Sequence, residues 1–145
     1  MLFDRRGSRY EKAAAMSHWK KILLIGGDLK SRLALHDVID ARPARDWRLI
    51  KVPDGEEALT RLRAGIDLPD LCIIDFVAGN LGGLDLLKKL RAEENPALSR
   101  LHAILCATPE EWQKVQQETG GSLPIYLPKP FDPNQVKAAL ERALA

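Results

Sequence analysis

Five short apolar runs that alternate with amphipathic segments constrain the fold of this chain more than any other feature of its sequence. The runs, which we predict to be strands, occupy residues 22–25, 47–52, 71–75, 101–106 and 123–127. Apolar residues at helical spacing follow each run. Regular alternation of strand and helix is typical of a parallel sheet with right-handed crossovers and helices on both faces. We therefore predict an α/β fold, a (βα)5 doubly wound parallel five-stranded sheet with strand order 2-1-3-4-5.

Capping residues and prolines predict where the helices begin and end. Asp28, Asp54 and Thr108 precede three helical segments, and all three residue types are favoured at the N-cap position. Pro43 is predicted to end the first helix, and the Asn95-Pro96 pair to end the third. These boundaries predict one helix after each strand.

The composition is that of an ordinary globular protein with one core. The chain has 145 residues, 46% hydrophobic and 29% charged, with a net charge of +2. That charge is too small to indicate binding to nucleic acid or to an anionic membrane, and no segment has the roughly 20 apolar residues of a membrane helix. Cys72 and Cys106 lie inside apolar runs without metal-site spacing, so we expect two buried thiols in a reducing, cytoplasmic compartment.

The N-terminal segment differs from the rest of the chain. Residues 1–21 contain six Lys or Arg and two Asp or Glu, which leaves 16 and 18 for residues 22–145. The segment has no apolar centre of the kind a secretory signal needs. We predict that residues 1–18 are an N-terminal extension, either disordered or derived from an expression vector. Residues 19–145 are predicted to form the globular domain.

Asp75 ends the third apolar run, and Lys129 follows the fifth. In an open parallel sheet the carboxyl ends of the strands meet at one edge, where ligands bind. A carboxylate and a lysine at that edge form a polar site that can hold an anion such as a phosphoryl group. The third run alone leaves a second interpretation open, in which Asp75 caps the following loop.

Residues 71–91 and 126–132 resemble the receiver domain of two-component response regulators, which has a flavodoxin-like fold, and the likeness extends over about residues 20–145. The resemblance implies that Asp75 accepts a phosphoryl group from a histidine kinase. It also implies that Lys129 contacts the phosphoryl oxygens.

Two further residues match the family. Gly83 corresponds to the glycine that follows the acceptor by eight residues. Tyr126 corresponds to an aromatic switch residue that moves inward when such domains are activated.

The metal-binding positions depart from the family pattern. Receivers typically have two adjacent acids after the first strand, and Gly26 and Gly27 occupy those places. The remaining oxygen ligands are Asp75, the backbone carbonyl of Val77 and, one place late, Asp28. Because Mg²⁺ prefers several oxygen ligands in octahedral geometry, we predict weak or absent Mg²⁺ binding and slow phosphoryl transfer.

The hydroxyl switch residue is also missing. Counting back from Lys129 at the family's spacing reaches Ala107 instead of Ser or Thr. Thr108 is the candidate replacement for contact with the phosphoryl group. A shift of one residue along a strand reverses the direction of the side chain, however, and Thr108 also suits a helix cap.

A partner-binding face is the last feature that the resemblance implies. The fourth helix, fifth strand and fifth helix form such a face in many receivers, and here it would carry Trp112, Gln116 and Tyr126. Trp112 lies on a polar helix and is a candidate anchor for a partner. The alternative is that Trp112 packs back onto the sheet. Homodimerisation through this face stays open.

Three functions follow from these patterns. The main hypothesis is a degenerate receiver that signals by protein–protein interaction with a histidine kinase or another signalling protein. The second is a conventional phospho-acceptor that uses Asp28 and Thr108. The third is a flavodoxin-like protein that binds a small ligand near Gly26-Gly27, although a full phosphate cradle is lacking. No nucleophile–base pair is evident in the sequence, so we do not predict an enzyme.

Overall fold

The computed structural model of this protein describes residues 19–40, 47–119 and 123–144. Within these ranges lie five strands and six helices. In chain order they are β1 (Lys20–Ile25), α1 (Leu29–Asp40), β2 (Trp47–Val52), α2 (Gly55–Ala64), β3 (Leu71–Asp75), α3 (Gly83–Arg91), α4 (Pro96–Ser99), β4 (His102–Ala107), α5 (Pro109–Glu118), β5 (Ile125–Pro128) and α6 (Pro133–Leu144). The predicted extension, residues 1–18, lies outside the described residues.

The five strands form one parallel sheet in the order β2-β1-β3-β4-β5. The predicted fold and strand order are therefore confirmed. All five residues of the central strand β3 are buried, because helices cover both faces of the sheet. This explains why the strand is a continuous apolar run that ends in a single acid.

Alternate residues of each central strand face opposite sides of the sheet and belong to two separate cores. Cys72 and Ile74 belong to the core packed by α2, α3 and α5, whereas Cys106 belongs to the core packed by α1 and α6. The two thiols are free and buried on opposite faces of the sheet, as expected. Burial raises the pKa of Cys72 to about 12 and also raises that of Cys106, so both behave as small apolar groups.

The predicted N-caps are confirmed. Asp28 Oδ1 accepts the N–H of Ser31 at 2.7 Å, and Asp54 Oδ1 accepts the N–H of Glu57 at 2.8 Å. Thr108 begins α5 in a reciprocal capping box. Side-chain oxygens here satisfy helix donors that have no partner within the helix.

Several predicted boundaries differ from the structure. Asn95-Pro96 begins a helix instead of ending one: α3 has already ended at Arg91, and Asn95 Oδ1 caps α4 by accepting the N–H of Ala97 at 3.0 Å. Strand β5 begins at Ile125, two residues later than predicted. Pro43 lies outside the described residues. In the part of the chain that the structure describes, no helix is long and apolar enough to cross a membrane.

Candidate functional site

Asp75 and Lys129 form an ion pair at the carboxyl edge of the sheet. Asp75 ends the central strand β3, and Lys129 directly follows β5. Lys129 Nζ lies 2.7 Å from Asp75 Oδ1. Only 3% of Asp75 is exposed, and an ionised carboxylate at such a depth needs a charged partner and hydrogen bonds. The parallel topology thus brings together the two residues that the sequence placed at this edge.

Backbone contacts fix both members of the pair. Asp75 Oδ1 also accepts the N–H of Val77 at 2.9 Å. The N–H of Lys129 donates to the carbonyl of Ala107 at 3.0 Å, which ties the lysine to the end of β4. The Lys129–Pro130 peptide bond is cis. One carboxylate oxygen therefore receives two donors, while Oδ2 faces the loop after β1.

The two glycines after β1 pack closely around Asp75. Gly26 and Gly27 have φ angles of 71° and 85°, in the left-handed region that favours glycine. A Cβ on Gly27 would lie 3.1 Å from Asp75 Oδ2, and one on Gly26 would lie 2.7 Å from the Cα of Ala78. The N–H of Gly27 donates to the carbonyl of Val77 at 3.3 Å. The turn therefore has a backbone conformation that glycine adopts readily, and the N–H groups of both glycines already donate to backbone carbonyls.

Two oxygen atoms around Asp75 that could bind a metal ion already have other partners. Oδ1 is paired with the ammonium of Lys129, and the carbonyl of Val77 accepts the N–H of Gly27. Across residues 19–40, 47–119 and 123–144, no group of three or more His, Cys, Asp or Glu is arranged to hold a metal ion. Asp75 is therefore not part of a described cluster of three or more such side chains of the kind that a hard divalent ion would favour.

Asp28 is near this site but is used differently. Its side chain is exposed, and its Oδ1 caps α1 through the N–H of Ser31. Hydrogen bonding by Ser31 is the main reason that the pKa of Asp28 is lowered, and the positive charge of Lys129 adds to the effect. The field of Lys129 thus reaches Asp28, while the carboxylate itself serves the helix end.

The switch positions carry no free hydroxyl at the expected place. Ala107 is fully buried at the end of β4. Thr108 Oγ1 accepts the N–H of Glu111 at 3.3 Å, and Glu111 Oε1 accepts the N–H of Thr108 at 2.9 Å. The Thr-x-x-Glu spacing, which predicts such a capping box, is present in the sequence. Contact of Thr108 with a phosphoryl group stays a prediction.

Tyr126 and Trp112 form a parallel aromatic stack. Their ring centroids are 4.6 Å apart, with an interplanar angle of 4°. Trp112 also packs against the core between the sheet and α5, while Gln116 on the same helix is exposed. Trp112 thus contacts its own domain through one face. Its role as an anchor for a partner stays a prediction, as does the switch role of Tyr126.

Within the part of the chain that the structure describes, the hydroxyl of Tyr126 is buried and has no hydrogen-bond partner. Burial raises the pKa of Tyr126, and the nearby carboxylate of Glu111 raises it further. The folded chain therefore holds the phenolic proton to a higher pH than the unfolded chain does. Stability that this group contributes below about pH 10 is lost as the pH rises towards the folded pKa.

We expect Tyr126→Phe to leave the free energy of unfolding unchanged or to raise it by up to about 1 kcal/mol at neutral pH, because it removes an unsatisfied buried hydroxyl and keeps the stack. Urea denaturation of both proteins at pH 7 and near pH 10.5 measures this. The advantage of the variant should grow at the higher pH. A loss of more than about 1 kcal/mol at pH 7 would show that the hydroxyl has a stabilising partner.

Comparisons with known proteins agree with the class of protein that the fold and the site indicate. A scan against models of protein families finds no match. The alkaline phosphatase synthesis transcriptional regulatory protein PhoP of Bacillus subtilis is 34% identical over 126 residues, which are 86% of this chain and 48% of PhoP. The chain thus spans about half the length of this curated relative.

Solved structures share the fold over most of the chain. The phosphorylated cyanobacterial phytochrome response regulator RcpA has a TM-score of 0.72 at 22% identity, covering 88% of this chain and 95% of that one. The receiver domain of the sensor histidine kinase PA1611 from Pseudomonas aeruginosa, solved with a magnesium ion in its active-site cleft, has a TM-score of 0.69 at 21% identity, covering 87% and 98%.

The doubly wound sheet, with a buried, lysine-paired aspartate at the tip of its central strand, is the fold and site of a signalling domain of the receiver class. The sequence relatives and the structural neighbours agree on this class. The chain has the receiver-domain fold, and its sequence relatives are response regulators. The resemblance found in residues 71–91 and 126–132 is thereby confirmed.

Proposed function

We propose that this chain is an atypical receiver module that signals through protein–protein interaction, with weak or absent Mg²⁺-dependent phosphorylation of Asp75. The observation that carries the proposal is the direct pairing of Asp75 with Lys129 at 2.7 Å, beside Gly26 and Gly27 where the family has its acids. The ion pair is complete without a metal ion. Asp75 and Lys129 then hold one fixed arrangement of the sheet edge.

The charge requirement of phosphoryl transfer supports this proposal. The transferring group carries negative charge that metal ions and cations must neutralise, so catalysis depends on their positioning. Here the cation beside Asp75 is Lys129, already bound to Oδ1, and Oδ2 faces the turn at Gly27. With few oxygen ligands for a metal, transfer to Asp75 would be slow.

A conventional phospho-acceptor is the second candidate, and the position of Asp28 favours it. Its carboxylate is close enough to Lys129 for the lysine's charge to lower its pKa. In this mode Asp28 would leave the cap of α1 to bind the metal with Asp75. Asp28→Asn would then abolish metal binding, because the neutral amide is a weaker ligand for a hard cation.

The partners proposed for the chain are a histidine kinase or another signalling protein. The relatives include a transcriptional regulator and the receiver domain of a sensor kinase. Residues 22–145 contain 16 Lys or Arg against 18 Asp or Glu, so this domain has no basic excess for nucleic acid. We propose that it acts in the cytoplasm as a non-enzymatic module, with Trp112 and Tyr126 on its partner face.

Amide-resolved NMR tests the proposal. The protein is titrated with millimolar Mg²⁺ and then with beryllofluoride, a phosphoryl mimic, alongside a conventional receiver as positive control. We expect no saturable shift at the amides of Asp75, Val77 or Lys129, because the donor set is incomplete. Saturable shifts that disappear in an Asp75→Asn variant would contradict the proposal and favour the conventional acceptor. Their further loss in Asp28→Asn would identify the second carboxylate.

A further inference from the structure

A second concave site lies at the opposite edge of the sheet from Asp75. It is a pocket of about 240 Å³ between the first residues of β4 and the segment that enters β5. In the paired strands His102 is level with Leu71, four residues before Asp75, so the pocket is roughly 13 Å from the ion pair along the strands. The receiver function proposed above does not use this edge.

Arg91 supplies an oriented cation to the wall of this pocket. It is the last residue of α3, and its Nη1 donates to the carbonyls of Ser99 at 3.0 Å and Leu101 at 2.8 Å. These two bonds hold the guanidinium in a fixed plane. Within the described residues, its Nε is buried and has no hydrogen-bond partner. The fold thus positions the side chain through Nη1 and leaves Nε without a partner.

No carboxylate neutralises this guanidinium within the described residues, where Arg91 takes part in no salt bridge. Half-burial lowers the pKa of Arg91 because water is removed from the charged group. A partly desolvated cation without a counter-ion is unfavourable, and an anion bound beside it would offset that cost.

The other residues around the pocket share this character. Arg100 and His102 add a guanidinium and an imidazole, and the described residues that line the pocket include no Asp or Glu. Leu123 and Pro124 form an apolar wall, and 47% of Leu123 is exposed. The pocket therefore combines fork-shaped donors suited to carboxylate or phosphate oxygens with a surface suited to an apolar group.

We propose that this pocket binds a small organic anion, with a carboxylate or phosphate held by Arg91 and Arg100 and an apolar body against Leu123 and Pro124. The volume of about 240 Å³ limits the ligand to roughly the size of one ring with its acidic group. Binding here is independent of phosphorylation at Asp75. The site would allow a small molecule to bind to a domain whose proposed partners are proteins.

Amide-resolved NMR titrations with phenyl phosphate and with benzoate test this site, and benzyl alcohol serves as the neutral probe. We expect saturable shifts at Leu101, His102 and Leu123 with at least one of the two anions and none with benzyl alcohol. The anion that binds more tightly identifies the preferred acidic group. No saturable shift with either anion, or equal binding of benzyl alcohol, would overturn the proposal.

Two matched variants separate specific contact from general charge. Arg100 is exposed, so Arg100→Gln should fold normally. We expect it to weaken binding of the anion about tenfold through loss of a charge-assisted hydrogen bond. Lys89→Gln removes the same charge from an exposed position of α3 outside the pocket and should leave binding unchanged. Equal weakening by both variants would show general electrostatic attraction and overturn the assignment.

Discussion

Replacing Lys129 with Met is expected to lower the free energy of unfolding by about 3 kcal/mol, because it leaves the buried carboxylate of Asp75 without its charged partner. Asp75 is 3% exposed, and within the described residues the N–H of Val77 at 2.9 Å would be the remaining donor to its carboxylate. Met keeps the length of the aliphatic stem, so little packing is lost. Because 22% of the lysine side chain is exposed, we expect a loss of stability at the low end of the range for breaking a buried ion pair. Urea denaturation at pH 7 measures the loss.

Two controls make this result specific. Lys137 is an exposed lysine on α6, and Lys137→Met should change stability by less than about 0.5 kcal/mol. In an Asp75→Asn background the cost of Lys129→Met should largely disappear, because no buried charge is left to pair. A Lys129→Met variant as stable as Lys137→Met would mean that the ion pair contributes nothing to the fold.

Gly83→Ala is expected to be at least as damaging, with a loss of about 3 kcal/mol. A Cβ at Gly83 would overlap the carbonyl oxygen of Asp75 and lie 2.9 Å from its carbonyl carbon and 3.0 Å from Cγ2 of Ile74. The atoms in the way belong mostly to the central strand, and the N–H of Gly83 is held by the carbonyl of Phe76 at 2.9 Å. Helix α3 would have to move away from β3. Urea denaturation gives the change in stability.

The neighbouring glycine provides a matched control. A Cβ at Gly82 would have its nearest atom, the carbonyl oxygen of Phe76, at 3.7 Å, and the φ of Gly82 is −62°. Gly82 is the N-cap of α3 and makes no side-chain cap bond. Gly82→Ser should therefore leave stability unchanged or raise it by up to about 1 kcal/mol. Similar losses in the two variants would show that close contact with β3 is not the cause.

The fold was predictable because its signals are local and repeated. The buried strands β1, β3 and β4 are continuous apolar runs, and their alternation with helices leaves few topologies. The short helix α4 was missed because Asn followed by Pro both terminates one element and caps the next. The start of β5 was placed early because Leu123 and Pro124 continue an apolar run without pairing in the sheet.

The site was predictable only in part. Parallel topology alone brings Asp75 and Lys129 to one edge, so their proximity follows from the sequence pattern. Which carboxylate oxygen Lys129 contacts, and how near Gly27 comes to the other oxygen, depends on loop backbone that periodicity does not specify. The stack of Trp112 on Tyr126 depends on the rotamers of residues from two different elements. The resemblance named both aromatic residues without predicting their contact.

The left-handed turn at Gly26 and Gly27 bears on whether an acidic pair could be introduced at these two positions by substitution. Each acid would enter a backbone conformation that costs an L-residue roughly 1–2 kcal/mol, and at Gly26 its Cβ would lie 2.7 Å from the Cα of Ala78. A single Gly→Asp substitution at Gly26 would therefore require the backbone of residues 76–79 to move as well. Restoring the family's acidic pair would mean rebuilding two loops together and not only exchanging two side chains.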